Sequence, residues 1–232
     1  MYSKSLSQKN YIRITLPTMK TTFILSSALA IHAAIVVNEA DIESLDRAIG
    51  DGDHYINVKR ASEVVAGMYN ELSALPPEEV LQKIGAKLLT TMGGASGVLF
   101  ASFFMGVAKY LKENFSKINE TNANLETAAA FAYGVQTMMM RGKANVGEKT
   151  MLDVLVPVST TFTIAAARGK NVAEICKEVK NAADEGLEYT RDLVATKGRA
   201  AGLGERAIGH LDPGAKSCQV MINSVCDLIL KK

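Results

Sequence analysis

Residues 46–54, DRAIGDGDH, gather three aspartates and a histidine around two glycines. Carboxylates crowded into one turn repel one another, so they destabilise a fold unless a cation or hydrogen-bond donors lie among them. Mg²⁺ prefers oxygen ligands and usually shares its coordination shell with water and with substrate phosphates. The stretch therefore predicts that Asp46, Asp51 and Asp53 bind Mg²⁺. The loop pattern of an EF-hand is absent, which excludes that type of calcium site.

Two further residues of this stretch leave their roles open. His54 has the chemistry to bond a phosphate oxygen, but it could equally cap the turn. Asn57 lies at a predicted helix start, where capping by the side chain is a common alternative to ligand binding. A solvated turn without a metal ion is usual for a single Asp-Gly pair, but three acids beside His54 favour the metal site.

A glycine-rich stretch, GGASG at residues 93–97, precedes the fourth predicted helix. Unpaired backbone N–H groups and the helix dipole favour anions at such a position, and glycines let a phosphate approach closely. Ser96 adds a hydroxyl. The alternative is a turn of small residues that permits close helix packing.

Two other joints carry glycine and charge. The stretch GKANVGEKT, residues 142–150, invites comparison with the P-loop, but Glu148 separates Gly147 from Lys149 and no strand precedes the loop. A P-loop fold is therefore rejected, while Gly142 stays a candidate phosphate contact. Residues 197–215 are too long and glycine-rich for a simple connection. Within them Arg199 is a candidate phosphate clamp, because its planar guanidinium can bond two oxygens at once.

Helical periodicity runs through almost the whole chain, and strand patterns are nearly absent. The sequence therefore predicts an all-α fold, an eight-helix antiparallel up-and-down bundle or barrel. The predicted helices are 20–46, 56–73, 77–92, 97–115, 124–141, 151–168, 171–196 and 216–231. In this topology the joints after helices one, three, five and seven lie at the same end, so the four chemically active loops would form one composite site.

Composition excludes several functional classes. The chain has 232 residues, 48% of them hydrophobic, which suits one domain over residues 19–232 after a disordered extension at 1–18. A balance of 26 basic and 24 acidic residues argues against nucleic acid as a partner. The apolar stretch near residue 30 continues as a helical stripe into the aspartate turn, so we predict neither a signal peptide nor a membrane span. Three cysteines without metal spacing indicate a reduced, cytoplasmic protein.

Four stretches in this order resemble one family over about residues 20–230: LDRAIGDGDHYIN, GGASG, RGKANVGEKTMLDVLVPV and GRAAGLGERAIGHLDPGAKS. The chain resembles the nucleotide-binding subunit L of dihydroxyacetone kinase, the DAK2 family. The resemblance implies an eight-helix barrel that holds ADP (or ATP) with two Mg²⁺ ions at one end, the metal ligands being the three aspartates. The nucleotide contacts that it implies are His54, Tyr55, Ile56, Asn57, Ala95, Ser96, Gly142, Met151, Arg199, Asp212 and Pro213, with Met151 and Pro213 beside the adenine.

The resemblance also implies a function. In this family the nucleotide gives its γ-phosphoryl group to dihydroxyacetone, which a histidine of a separate subunit K holds. In one branch ADP stays bound and a phosphohistidine of a third subunit, M, recharges it, whereas in the ATP-dependent branch the L and K parts are usually fused. A separate L chain is similar to the first branch. No catalytic residue is assigned within this chain, because phosphoryl transfer depends mainly on positioning and charge neutralisation.

Two alternatives and three departures accompany the resemblance. Some members of the family regulate a transcription factor through their nucleotide state, and others phosphorylate a different acceptor, such as a fatty acid on another protein. Tyr55 replaces the usual glycine, Glu148 the usual aspartate, and Ala201-Gly202 a Ser-Tyr pair. None of these departures affects the three aspartates.

Overall fold

The computed structural model describes residues 20–231, and the extension expected at 1–18 lies outside this range. The described residues form α-helices and three short 3₁₀ helices, without strands, which confirms the all-α prediction. The α-helices are α1 Thr21–Val37, α2 Glu39–Ile49, α3 His54–Gly67, α4 Tyr69–Leu72, α5 Pro77–Thr91, α6 Gly94–Asn114, α7 Ala123–Gly142, α8 Leu152–Ala167, α9 Val172–Tyr189 and α10 Pro213–Leu230. The 3₁₀ helices are Phe115–Lys117, Thr190–Asp192 and Arg199–Ala207.

The helices close into a barrel. Each of α5 to α10 packs on its neighbour in the chain, α3 packs between α1 and α5, and α10 packs on α1 to complete the ring. Small residues allow close approach in this ring: a methyl group at Gly106 of α6 would lie 3.3 Å from the Cα of Gly134 on α7. Consecutive helices of the ring therefore run antiparallel, as the sequence predicts.

The first predicted helix, 20–46, is two helices. α1 and α2 are bent by 67° at Asn38, whose side-chain amide donates to the carbonyl oxygen of Ala34 at 2.8 Å. Such a side-chain bond competes with the helical ladder. Ile35 and Ile42, on either side of the bend, are both fully buried, so α2 turns across the barrel end without exposing its apolar face. The predicted helix 56–73 is likewise divided, into α3 and α4 at Met68.

Apolar side chains from the helices of the ring fill the interior, around a cavity of about 300 Å³ along the barrel. Phe103, Phe131 and Phe162 form part of its wall, and the first two rings meet edge to face with centroids 5.3 Å apart. All three cysteines are buried and unpaired by disulfide bonds. The core therefore lies on the barrel axis and leaves the helix ends for chemistry.

Among residues 20–231, α6 alone is a single helix long and apolar enough to cross a membrane by length and composition. α1 and α2 meet the same criterion together, but only across their 67° bend. α6 packs between α5 and α7 in the barrel wall. A helix in the wall of a barrel can therefore meet this criterion of length and composition without crossing a membrane.

Candidate functional site

Every residue predicted to bind metal or nucleotide lies at one end of the barrel, called the site end below. The C-terminal ends of α2, α5, α7 and α9 and the N-terminal ends of α3, α6, α8 and α10 meet there. Because a helix N-terminus carries unpaired N–H groups and a partial positive charge, four of them at one end favour an anion.

The three aspartates converge in the turn between α2 and α3. One carboxylate oxygen from each of Asp46, Asp51 and Asp53 lies within 4.8 Å of the others. Asp46 is in the last turn of α2 and only 3% exposed, and its Oδ2 accepts a hydrogen bond from the backbone N–H of His54 at 2.9 Å. A side chain at Gly50 would collide with the Asp46 carboxylate, so glycine is required there. The turn thus holds one buried and two exposed carboxylates.

These three carboxylates suit a hard divalent cation, because they offer oxygen ligands on one side and leave the exposed side to water or phosphate. The cation that the chain itself brings to them is Arg199, whose Nε lies 2.8 Å from Asp51 Oδ2. The Arg199 side chain is mostly exposed, so this ion pair contributes little to stability in water. The pair places the guanidinium over the aspartate turn, while the buried cluster of Ile49, Ala200 and Ala207 packs the segment between α9 and α10 on α2.

His54 joins α3 to α10. Its Nε2 lies 2.8 Å from Ser217 Oγ, and the Ser217 hydroxyl donates to the carbonyl oxygen of Pro213 at 3.0 Å. Because that bond uses the serine proton, we assign the imidazole hydrogen to Nε2 as donor, which leaves Nδ1 as an acceptor. Burial lowers the pKa of His54, although the three nearby aspartates act against this shift. The ring is therefore neutral at neutral pH, and both roles considered for it stay open.

The next three residues face different surroundings. Tyr55 is 3% exposed and belongs to the core, and its buried hydroxyl has no hydrogen-bond partner among the described residues. Burial, together with Glu39 beside it, raises the pKa of Tyr55 to about 12. Ile56 is mostly exposed. Asn57 reaches the neighbouring loop, since a methyl group at Gly93 would lie 3.0 Å from Asn57 Oδ1.

The glycine-rich stretch forms the first turn of α6, as a ligand-binding helix start requires. Gly94 has φ 68°, and Ala95 and Ser96 follow it at the partly exposed surface. Gly142, at the end of α7, lies beside this turn: a methyl group there would be 3.0 Å from Leu99 Cδ2 of α6. The second and third loops are therefore neighbours.

The residues predicted to border adenine also meet. Met151, just before α8, is 7% exposed, and a methyl group at Gly214 on α10 would lie 3.6 Å from Met151 Cε. Pro213 is the buried first residue of α10. Asp212 caps that helix by accepting from the Ala215 N–H at 2.7 Å, and burial raises its pKa to about 7.

Sequence reasoning missed Lys149. Its ammonium group does not reach toward the aspartate turn; it is buried and donates to the carbonyl oxygens of Thr190 and His210. Burial lowers its pKa, and its backbone is left-handed at φ 58°. Ser217, the partner of His54, was also missed, although both residues lie within stretches that carry the family resemblance. No spacing rule would have indicated contacts to residues 41 to 163 positions away.

Comparison with known proteins gives consistent results. Residues 48–227 match the DAK2 domain. The chain is 36% identical over 204 residues to the ADP-binding subunit DhaL of PEP-dependent dihydroxyacetone kinase 2 from Listeria innocua, covering 85% of this chain and 90% of that protein. It is 36% identical over 184 residues to the corresponding DhaL subunit of Escherichia coli, covering 78% and 84%.

A solved structure shows the same fold. The dihydroxyacetone kinase of C. freundii, in complex with AMP-PNP and Mg²⁺, superposes with a TM-score of 0.69 at 24% identity. The alignment covers 98% of this chain but 38% of that one, so this chain corresponds to a minor part of the larger protein. At this identity the likeness concerns the fold, whereas the domain match and the relatives concern descent. By these findings the chain belongs to the DAK2 domain family.

Proposed function

We propose that this chain is the ADP-binding subunit of a dihydroxyacetone kinase of the PEP-dependent type, acting in the cytoplasm. One observation carries the proposal: three aspartate carboxylates converge at the barrel end where the N-termini of α3, α6, α8 and α10 also meet. Carboxylates beside helix N-termini suit a metal–nucleotide complex, because the metal ions neutralise the phosphates and the N–H groups bond them. Identity of 36% to two DhaL subunits supports ADP as the nucleotide.

Asp46, Asp51 and Asp53 would hold two Mg²⁺ ions, which when bound neutralise the charge on the phosphate oxygens. The chain prepares the ligands for this task. The His54 N–H orients Asp46 by a 2.9 Å bond, and glycine at position 50 leaves room for that carboxylate. Asp51 and Asp53 lie on the exposed side of the turn, where they can share a metal ion with phosphate.

The nucleotide would lie across the site end. Its phosphates would face the first turn of α3, residues 54–57, and that of α6 at Ala95 and Ser96, with Gly142 beside them. The adenine would lie between Met151 and Pro213, next to Asp212. Arg199 would move from Asp51 to the phosphates, where its guanidinium can bond two oxygens. All these positions lie on adjacent joints of the barrel, which supports one continuous site.

The transfer needs two partner subunits, one that holds the acceptor and one that recharges the nucleotide. A hydroxyl oxygen of dihydroxyacetone, held by a histidine of subunit K, would form a bond to the γ-phosphorus as the bond to the β–γ bridging oxygen breaks, which leaves ADP. The hydroxyl proton would pass to a group outside this chain. A phosphohistidine of subunit M then returns a phosphoryl group to the retained ADP. This chain contributes position and charge, and no general base, which is sufficient for phosphoryl transfer.

Release of bound nucleotide tests the proposal directly. The freshly purified protein is denatured, the nucleotide is identified by chromatography, and its exchange is followed by dialysis in Mg²⁺. We expect ADP that exchanges slowly, and phosphorylation of dihydroxyacetone when subunits K and M are added. A protein that holds ADP but supports no turnover would instead be a nucleotide-dependent regulator of a transcription factor or a kinase domain for another acceptor. A protein that binds no nucleotide would overturn the proposal.

A further inference from the structure

The buried ammonium group of Lys149 binds both ends of a long surface segment, residues 190–212. Lys149 is 1% exposed, and its Nζ donates to the carbonyl oxygens of Thr190 and of His210, the latter at 2.6 Å, with Arg191 O at 3.5 Å. Thr190 directly follows α9, and His210 lies shortly before α10. One side chain therefore ties both ends of the segment 190–212, although it comes from the α7–α8 joint.

Other hydrogen bonds join the same two ends of the segment. The Gly209 N–H donates to Arg191 O at 2.8 Å, and the Asp212 N–H donates to Thr190 Oγ1 at 3.0 Å. The backbone of Glu148, next to Lys149, adds a further bond to the segment: its carbonyl oxygen accepts from the Thr196 N–H at 3.3 Å. Between its two ends the segment is mostly exposed. It carries Arg199, whose Nε lies 2.8 Å from Asp51 Oδ2. Arg199 thus has two supports, these bonds at the ends of the segment and the small buried cluster that Ala200 and Ala207 form with Ile49 of α2.

The cost of this arrangement indicates a role beyond packing. Burying an ammonium group away from water costs free energy, which its hydrogen bonds only partly offset. A left-handed backbone at a residue other than glycine adds strain, and such strain tends to occur at functional sites. Lys149 has both features, and the Asp153 carboxylate fixes the backbone around it by accepting from the Thr150 N–H at 2.7 Å. A methionine would fill the same volume without a charge.

We propose that Lys149 is a positioning residue for the metal–nucleotide complex, a role that rests on the function proposed above. Its side chain fixes the ends of segment 190–212 while its backbone leads into Met151, two residues later. Lys149 therefore sets the distance between Met151 and the first turn of α10, the two walls expected around adenine, and it presents Arg199 to the phosphates. It need not touch the nucleotide to do so.

A double-variant cycle separates this role from general stabilisation. Lys149→Met, Arg199→Ala and the double variant are compared with the wild type for ADP affinity in Mg²⁺ by calorimetry, at a temperature where circular dichroism shows all of them folded. We expect Lys149→Met to weaken binding by about tenfold or more, and the double variant to be no weaker than the worse single variant, because both act through one segment. Independent losses that multiply, or unchanged affinity in Lys149→Met, would overturn the proposal.

A second measurement needs no nucleotide. Trypsin cleavage after Arg199 and Arg206, mapped by mass spectrometry, reports how firmly the segment is held. Lys149→Met should be cut there about tenfold faster than the wild type, and equal rates would contradict the proposal. Because this readout does not involve ADP, it tests whether Lys149 holds the segment even if the wild type binds no ADP, an outcome that would overturn the proposed function and, with it, the role toward the nucleotide.

The matched control is Lys143→Met. Lys143 lies in the same joint, also with a positive φ of 48°, but it is exposed. It should leave both trypsin cleavage and ADP affinity unchanged. If Lys149→Met fails to fold, Lys149→Gln, which keeps an N–H donor on a shorter side chain, replaces it in both measurements with the same expected directions.

Discussion

Backbone with positive φ is concentrated at the site end of the barrel, whereas the opposite end has one such residue among those described, Gly169. The residues at the site end are Gly52, Gly94, Lys143, Gly147, Lys149, Gly198, Gly204 and Gly209. Two of them are lysines, for which this conformation is unfavourable. The site end therefore has most of the left-handed backbone, with strain at the two lysines, whereas the opposite end has one such residue, a glycine.

The hydrogen bonds differ in the same way. At the opposite end, Asn171 and Glu174 form a reciprocal capping box with two bonds of 3.0 Å, and Asn122 Oδ1 accepts from the Asn119 N–H at 2.8 Å. Each of these bonds joins residues three positions apart. At the site end, the bond between His54 and Ser217 spans 163 positions and that from Lys149 to His210 spans 61. Local bonds build most of the opposite end, where the bond from Thr21 Oγ1 to Leu75 O at 2.6 Å is an exception, while the site end depends more on the closed barrel.

The largest effect should follow from breaking the acidic turn. In Asp51→Ala we expect Mg²⁺-dependent ADP binding to fall by at least about 100-fold, because the variant lacks one of the three proposed metal ligands. Helicity should be unchanged, since Asp51 is exposed and lies outside the helices. Calorimetric titration with ADP at fixed Mg²⁺, together with circular dichroism, measures both quantities.

The control for this variant is Asp41→Ala, which removes an equal charge from α2. The Asp41 side chain is 68% exposed, and its one ion pair within residues 20–231, with Lys216, is long at 3.9 Å. ADP affinity should be kept in this control. Binding that persists in Asp51→Ala, or falls equally in both variants, would show that net charge rather than a metal site is responsible.

A second effect concerns the pH dependence of stability at the site end. The pKa of Asp212 is raised from 3.8 to about 7 by burial, so between these values the folded protein holds a proton that the unfolded chain releases. The free energy of unfolding should therefore fall as pH rises through this window. In Asp212→Asn this contribution disappears while the α10 cap is kept, because asparagine caps about as well as aspartate.

Urea unfolding of the nucleotide-free protein at a series of pH values from about 4 to 7 checks this prediction. The difference in unfolding free energy between wild type and Asp212→Asn isolates residue 212 from the other titrating groups. The unfolding free energy of the wild type should fall relative to that of Asp212→Asn as the pH rises. A difference independent of pH would show that Asp212 does not titrate in this range.

The contrast between the ends also explains what the sequence could predict. The predicted helix 77–92 begins at the first residue of α5, where a proline is followed by two acids, and the predicted helix 171–196 begins one residue before α9, at the Asn171 cap. Both signals act through neighbours in the chain. The family resemblance and the barrel order brought the four loops to one end, and the structure has them there.

Part of what failed depends on distant partners. The predicted helix 171–196 ends at Tyr189, because Lys149 takes the carbonyl oxygen of Thr190 and the chain becomes extended at Leu193. The loop predicted after it contains the 3₁₀ helix Arg199–Ala207. The start of α10 at Pro213 rather than at 216 follows from the Asp212 cap, a local signal that the prediction overlooked. Metal and nucleotide roles of the site residues stay predictions.

The smallest effect comes from a matched pair of glycines, one at each end. Gly198 at the site end and Gly169 at the opposite end both have φ 68°, and a methyl group on either would meet no atom within 4 Å. Substitution by alanine should therefore act through backbone strain alone, about 1–2 kcal/mol at Gly169 and at least as much at Gly198, whose ψ of −162° lies in a region almost limited to glycine. The two variants should differ in whether the strain lowers stability or ADP affinity.

In Gly169→Ala the strain lies in the tight turn between α8 and α9, so we expect the melting temperature to fall by a few degrees and ADP affinity to be kept. Gly198 precedes the 3₁₀ helix that begins with Arg199, and this exposed segment can rearrange without unfolding the barrel. Gly198→Ala should therefore lower ADP affinity by about tenfold, as 1–2 kcal/mol corresponds to, with little change in melting temperature. Equal losses of stability in both variants would mean that segment 190–212 is as firmly integrated as the opposite end, and that the strain at the site end serves folding rather than the ligand.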